Sequence, residues 1–596
     1  MSKNTIENLE ALRAEMRRAH VDAVIVPGTD AHQSEYLCDH WKIRDWLTGF
    51  TGSNGTAVVT LDDARLWTDS RYFLQAEQEL EGSGFTMMKE DIPGEPTMYQ
   101  WLAANLEEGI IGLDGTLFSV NQVARLENFC GENGLQLAPD FAPFDRIWHD
   151  RPERPQGKLF VHDVKYAGES VASKLERTME QVENAGAEAI FIAALDEIAW
   201  LFNLRCDDIK FTPEFISFAY VSSNERVLFV DDAKLTDDVR AALKADGITT
   251  RPYESARQYV HDIDLGTSVL VDPVTVSDTL AQAMMCVKIW GRSPIQALKA
   301  VKNATQQAGI RDAMKRDGVA LVRTFKWVEE NAANGITEDD VWTRAKAERA
   351  KAGDIYRGDS FDMIAGYRDH GAIVHYSATP ESNATLKPEG LLLVDTGAQY
   401  LDGTTDITRT MTLGNPTDEE RHDYTLVLRG HLCLAMQPFP IGTRGAQLDA
   451  LARQYMWREG ITYYHGTGHG VGHFLAVHEG PQNIRLNENP TPLVPGMVQS
   501  DEPGIYKAGR HGIRIENLTL VVEDKELSSD EFGTFYRFET LTLCPYDARL
   551  IDTAMLTDAE IEWINAYHRR VYDTLAPELD PDTAAWLAEK TRPLTR

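Results

Sequence analysis

The sequence predicts a mixed α/β protein, with two copies of one α/β unit followed by a larger domain. Three observations carry that expectation. The chain has 596 residues, and at about 150 residues per domain it divides into two to four domains. One order of helix, strand, tryptophan-bearing segment and hairpin occurs twice in the first half, with Leu66 and Leu228 in equivalent places 162 positions apart. Beyond Gly291-Arg292-Ser293-Pro294 the pattern changes to long helical periodicity over 297–331. The expected segments are 1–155, 156–294 and 295–596.

Each element follows from local pattern. Residues 6–19 have the apolar spacing of an amphipathic helix. Residues 21–26 are an apolar run closed by Pro27-Gly28, as in a buried strand. A glycine-rich turn, Gly49-Phe50-Thr51-Gly52-Ser53, leads into 56–60 and 64–69, which read as a hairpin about Asp62-Asp63. The second copy has a helix over 171–185 and an apolar strand over 189–193. Trp200-Leu201-Phe202-Asn203-Leu204 then echoes Trp46-Leu47-Thr48-Gly49-Phe50, and 218–221 with 227–231 repeat the hairpin. The proline- and charge-rich stretch 151–158 reads as a linker. Neither copy gathers metal-type side chains compactly, which leaves them architecture, shielding of a site or dimerisation.

Composition narrows the class. Hydrophobic residues at 43% and charged residues at 25% are ordinary for a globular protein. A net charge of −33 and a pI near 4.9 describe a well-solvated acidic surface that repels phosphate backbones, so nucleic acid is not an expected partner. Cys38, Cys130, Cys206, Cys286, Cys433 and Cys544 are scattered without a CxxC pair, as in a cytosolic protein with reduced thiols. The first residues are of mixed charge with no apolar h-region, and no run approaches the ~18 apolar residues of a membrane span.

The chemistry lies in the last third. Asp395 sits in Val394-Asp395-Thr396-Gly397 and Asp406 in Asp402-Gly403-Thr404-Thr405-Asp406. Leu391-Leu392-Leu393-Val394 and residues 408–413 read as two arms of a hairpin turning at Tyr400-Leu401-Asp402-Gly403, with an aspartate on each arm. Carboxylates facing across a strand pair repel unless a cation lies between them. The alternative is that Asp402 and Asp406 are simple turn residues. Arg514 and Glu516 share one face of an extended segment over 513–522, where such neighbours commonly form an ion pair. Glu502 precedes the turn Pro503-Gly504, a commonplace position.

The stretch 464–481 sets His465, His469, His473 and His478 among five glycines: Gly466, Gly468, Gly470, Gly472 and Gly480. Glycine lets backbone pack closely around a site, and imidazole ligates metals or carries protons near neutral pH. The run is neither a dinucleotide turn nor HExxH, because His478-Glu479 is followed by Gly480-Pro481-Gln482. His375, in Ile373-Val374-His375-Tyr376, is a further candidate. Jointly, Asp395, Asp406, His469, Glu502 and Glu516 are a hard, oxygen-rich set whose four negative charges match two divalent cations. Two such ions can activate water for hydrolysis.

At these residues the chain resembles the pita-bread metallopeptidases, specifically the three-domain aminopeptidase P (Xaa-Pro aminopeptidase) family. Asp30-Ala31-His32-Gln33-Ser34-Glu35-Tyr36 and Trp67-Thr68-Asp69-Ser70-Arg71-Tyr72-Phe73 are similar to that family's first domain. Residues 195–205 are similar to its second domain, and 395–409, 465–481 and the surroundings of Glu516 to its catalytic domain. The resemblance implies two creatinase-like α/β domains followed by a pita-bread catalytic domain. It implies Asp395 on one metal, His469 and Glu502 on the other, and Asp406 and Glu516 bridging both. His375, His465 and His478 would face substrate, with Arg514 supporting the site. His375 or His478 would stabilise an oxyanion, and Glu502 would relay a proton to the leaving nitrogen.

The activity so implied is hydrolysis of the peptide bond between residue one and a proline at position two. The family typically prefers manganese, and the ligand set also suits zinc or cobalt. The implied protein is a cytoplasmic homodimer acting on peptides with proline at position two, with neither nucleic acid nor membrane as partner. Gln499-Ser500 departs from relatives, which often carry an apolar residue and threonine there; ligation is expected to survive. Two alternatives stand beside this reading. One is a prolidase restricted to Xaa-Pro dipeptides, which the duplicated N-terminal units disfavour. The other is a non-catalytic peptide-binding protein on the same fold, which the full ligand set disfavours.

Overall fold

Helix α1 (Thr5–Ala19) opens the structure, a computed structural model that describes residues 4–596. Leu9, Leu12 and Met16 recur at helical spacing and are buried, so one face packs while the other carries the charges. The apolar run after it yields a shorter strand than expected, β1 (Ala23–Val26). Val21 is drawn into the helix end instead, where its N–H donates to Met16 O at 2.9 Å.

Helix α2 (Ile43–Thr48) carries Trp46 and precedes β2 (Thr56–Thr60) and β3 (Ala64–Thr68). With β4 (Thr86–Lys89), β5 (Gly109–Gly112) and β6 (Leu135–Ala138) these form a sheet in the order β4-β3-β2-β1-β5-β6. Residues 151–159 then hold neither helix nor strand. The order repeats: α3 (Val171–Asn184), β7 (Ala189–Ile192), α4 (Leu195–Leu201) with Trp200, β8 (Phe218–Ser222) and β9 (Arg226–Phe229). Joined by β10 (Thr249–Arg251), β11 (Ser268–Val271) and β12 (Val287–Trp290), they give β10-β9-β8-β7-β11-β12, the same order as the first sheet. The register repeats too, with Ala57 opposite Leu66 in one hairpin and Ala219 opposite Leu228 in the other. All six cysteines are free.

Both sheets belong to one compact unit, Met1–Asp163 with Glu169–Ile295. The second unit comprises Val164–Gly168 with Gln296–Arg596. Its opening helical pattern is not one helix but two, α5 (Pro294–Ala300) and α6 (Ala304–Asn331). The break has a cause legible in the sequence. Asn303 accepts from the Gln306 N–H, and the Gln306 side chain accepts from the Asn303 N–H, a capping box that starts a new helix. Val301 meanwhile forms a β-bridge with Met497.

In this unit β13 (Ile364–Tyr367), β14 (Leu391–Thr396) and β17 (Ile407–Thr412) make a small antiparallel sheet. Between the last two, β15 (Ala398–Tyr400) and β16 (Gly403–Thr404) form the hairpin tip, which belongs to a different sheet. The expected hairpin is therefore present but bent. A larger sheet holds β18 (Gly468–Gly470), β19 (Glu479–Ile484), β20 (Val498–Asp501), β23 (Asn517–Glu523) and β24 (Phe535–Thr540), with a short edge strand at Phe439–Pro440. Strands β21 (Gly504–Lys507) and β22 (His511–Arg514) pair with each other. The single extended segment expected over 513–522 is thus two strands interrupted at Ile515-Glu516. Arg514 pairs with Gly504 while Asn517 pairs with Asp501, so the chain crosses from one sheet to another at Glu516. Helices packed behind these sheets close the core through Val322, Leu428, Leu432, Met456, Ile564 and Val571.

Candidate metal centre

The bend in the hairpin places two aspartates. Asp395, near the end of β14, lies opposite Thr408, and Asp406 immediately precedes β17. The turning point is Gly397. A Cβ there would stand 2.1 Å from Thr405 O and 2.2 Å from Ser360 Oγ, so only glycine lets the arms approach this closely. Gly397→Ala is expected to push the aspartates apart at a cost of about 1–3 kcal/mol. Manganese titration of the chelated variant should show affinity reduced at least about tenfold; unchanged affinity would mean that the bend does not set the site.

Five sequence-predicted groups meet at this bend. Asp406, His469 and Glu516 each offer a ligand atom, and these atoms lie within 4.8 Å of one another. His469 Nε2 is 3.5 Å from Asp406 Oδ2 and 3.4 Å from Glu502 Oε1. Its Nδ1 lies 2.9 Å from Gly470 O, and a proton donated there leaves the Nε2 lone pair facing the carboxylates. Glu516 Oε2 accepts from Thr408 Oγ1 at 2.9 Å, and the Glu516 N–H donates to Thr408 O at 3.1 Å. Arg514 Nη2 donates to Asp395 Oδ2 at 2.6 Å. The other oxygen, Oδ1, is buried with no hydrogen-bond partner among the described residues.

The electrostatics of the cluster call for a cation. Burial pushes Asp406 well above the usual carboxylate range, and the charges of Asp395 and Glu502 push it further. Burial does the same to Glu516, reinforced by Asp406, Glu502 and Asp395. Desolvation raises Glu502 to about 7, with Arg514 opposing and Asp395 assisting. Mutual repulsion and an orphaned carboxylate oxygen are what divalent ions relieve. Four carboxylates with one imidazole fit such ions, so the residues present suit a metal site. His469 and Glu502 keep 19% of their side chains exposed whereas Asp406 and Glu516 are buried, so the centre opens on the His469–Glu502 side.

The remaining candidates reach this cluster either directly or through its neighbours. The His478 ring stands edge-on to His469, 4.4 Å between centroids. Arg514 Nη2 also reaches Val374 O at 3.3 Å, which ties the segment bearing His375 to the Asp395 partner. His465 Nε2 lies 2.8 Å from Tyr506 Oη, and Arg514 Nη1 donates to the same oxygen at 2.8 Å. With His465 Nδ1 2.7 Å from Gly466 O, donors and acceptors run in one direction from Arg514 through Tyr506 to His465. Sequence reasoning missed Tyr506 and Thr408, and took Ser500 only as a departure from relatives that spares ligation. Their signal is the two-residue period: Glu502, Gly504 and Tyr506 on one run, and Asp406, Thr408 and Thr410 on another. Ser500 Oγ accepts from the His469 N–H at 2.9 Å and lies 3.3 Å from Glu502 Oε1, a role that needs a hydroxyl and not threonine's methyl.

Comparison with known proteins gives the family of the chain. Residues 308–523 match the model of metallopeptidase family M24, and 534–594 match the C-terminal region of peptidase M24. Two models of the creatinase/prolidase N-terminal domain match, one over 8–144 and the other over 150–306. A probable Xaa-Pro aminopeptidase P from Laccaria bicolor is 41% identical over 99% of this chain and 94% of its own. Aminopeptidase P2 of Arabidopsis thaliana is 40% identical over 97% of this chain and 86% of its own. The crystal structure of X-prolyl aminopeptidase from Caenorhabditis elegans, described as a cytosolic enzyme with a di-nuclear active site, superposes with a TM-score of 0.94 at 33% identity, covering 99% of this chain and all of that one. With such identity along nearly all of this chain and most of each relative, the chain belongs to the Xaa-Pro aminopeptidase P family of M24 metallopeptidases.

Proposed function

We propose that this protein hydrolyses the bond between the first residue of a peptide and a proline at position two, using two divalent ions held by Asp395, Asp406, His469, Glu502 and Glu516. The observation that carries the reading is the convergence of these groups, with Asp395 Oδ1 buried and unsatisfied and Asp406 and Glu516 raised first by burial and then by the neighbouring carboxylates. When bound, the ions supply Lewis acidity and bring water within reach of deprotonation near neutral pH. Arg514 fixes Asp395 through Oδ2 and leaves Oδ1 for ligation. Glu502, at about 7, is suited to take a proton and return it to the leaving proline nitrogen. That delivery matters because proline's ring fixes φ and its amide nitrogen carries no proton of its own. His478 and His375 are assigned to the oxyanion, and His465 to substrate.

The finer expectations belong to the same proposal. Manganese is the favoured ion, on the hard ligand set and the family's habit. The three-segment division 1–155, 156–294 and 295–596 is supported by the repeated sheet order and by the unit boundary after Ile295. A homodimer in the cytosol is proposed from the family. No described helix is long and apolar enough to cross a membrane.

The test is a peptide series after chelation and manganese add-back. Arg-Pro-Pro turnover restored by metal supports the aminopeptidase. Turnover of Ala-Pro alone would point to a prolidase, and none at all to a binding protein. Tyr506→Phe gives a further check. It removes one hydroxyl that both His465 and Arg514 use, worth about 1.5–3 kcal/mol for bonds involving charge, so kcat/KM should fall about ten- to a hundredfold. Metal content should stay unchanged, and wild-type kinetics would remove Tyr506 from the site.

A further inference from the structure

Glu479 directly follows His478 and opens β19, where it pairs with Gly470 of β18. Its carboxylate is sealed from solvent and meets two lysines. Lys299 Nζ is 2.9 Å from Oε2, and Lys302 Nζ donates to Oε1. The three side chains are no more than 1% exposed. Lys299 lies in the last turn of α5 and Lys302 in the break before α6, the break that the Asn303–Gln306 capping box fixes. Lys302 Nζ also donates to Ala300 O at 3.2 Å, which anchors it to the end of α5.

Stability alone does not explain three buried charges. Desolvating an ion costs several kcal/mol, and apolar side chains of similar volume in such a place are commonly as stable or more so. Placement does explain them. A Cβ on Gly470 would stand 2.2 Å from Glu479 O, and one on Gly472 would stand 3.2 Å from Glu479 Oε2. Glu479 is therefore fitted closely against the glycine run that carries His469. One residue earlier, His478 stands edge-on to the His469 ring.

We propose that Glu479, gripped by Lys299 and Lys302, is a positioning residue that sets the His478 ring against His469. The inference rests on the substrate-facing role given to His478 above. A misplaced ring would weaken stabilisation of the transition state while leaving the metal ligands and ground-state binding in place.

Three variants test it, each followed by kinetics on Arg-Pro-Pro, manganese titration and melting temperature. His478→Ala should lose about a hundredfold in kcat, as for removal of an oxyanion donor. Glu479→Gln should lose about tenfold or more in kcat, with KM and manganese affinity close to wild type. The triple replacement Lys299→Met/Lys302→Met/Glu479→Met removes all three buried charges of this cluster, so its melting temperature should match or exceed that of wild type. Its kcat should nevertheless stay low. Recovery of kcat together with melting temperature would overturn the inference, because the triad would then serve folding alone. Wild-type kcat in Glu479→Gln beside an impaired His478→Ala would overturn it while sparing the role of His478. Full activity in His478→Ala would overturn both.

Discussion

Glu516→Ala should lose tight manganese binding and at least about a thousandfold in kcat/KM. Ions in such a centre supply several kcal/mol of transition-state stabilisation, and each 1.4 kcal/mol is about a factor of ten. Glu516 is placed to touch whatever Asp406 and His469 hold, since their ligand atoms share one 4.8 Å cluster. A second consequence separates this account from simple damage to the fold. Glu516 is raised by burial and then by Asp406, Glu502 and Asp395, so in the chelated protein its ionised form is disfavoured and its carboxyl adds no favourable charge pairing to the fold. The chelated variant should therefore melt at or above the temperature of chelated wild type, although it has lost its activity. A lower melting temperature with metal affinity intact would show that Glu516 serves the fold and not the centre.

The chelated wild type should also lose stability as pH rises, which is unusual for carboxylates. Glu502 is held at about 7 in the folded chain, above its ordinary value. Asp406 and Glu516 are raised in the same direction. The folded state thus binds more protons than the unfolded chain between the ordinary carboxylate range and about pH 7. The stability these groups contribute is present below the unfolded values and is lost as pH passes through the folded ones. Melting temperature after chelation should fall between about pH 5 and pH 8, whereas saturating manganese should abolish or reverse the slope by displacing protons. A chelated protein that grows more stable across that interval would contradict the assignment of raised carboxyls.

Much of this architecture was legible before the structure. The duplicated unit showed in the Leu66–Leu228 offset, and the structure repeats it down to the opposed alanines at 57 and 219. Apolar alternation and turn residues are local signals, and they survive wherever neighbours along the chain are also partners in space. The candidate ligands were each weak alone in the sequence, and the glycine-flanked histidines and the family resemblance drew them together. What escaped was set by contacts distant in sequence. The bend at Gly397 depends on Thr405 and Ser360, and the interruption at Glu516 on pairings with Asp501 and Gly504. Tyr506 resembles any strand tyrosine until Arg514 and His465 are seen on the same oxygen. The break before Ala304 was different, because Asn303 and Gln306 spell a capping box that outweighs the helical periodicity around it.

The most direct test of the central claim is calorimetric titration of metal-stripped protein with manganese, with Arg-Pro-Pro turnover measured at each point. Two ions bound per chain, with turnover absent in the stripped protein and complete only when both are present, is the predicted result. Saturation at one ion, or undiminished turnover without metal, would contradict a dimetal centre built from Asp395, Asp406, His469, Glu502 and Glu516.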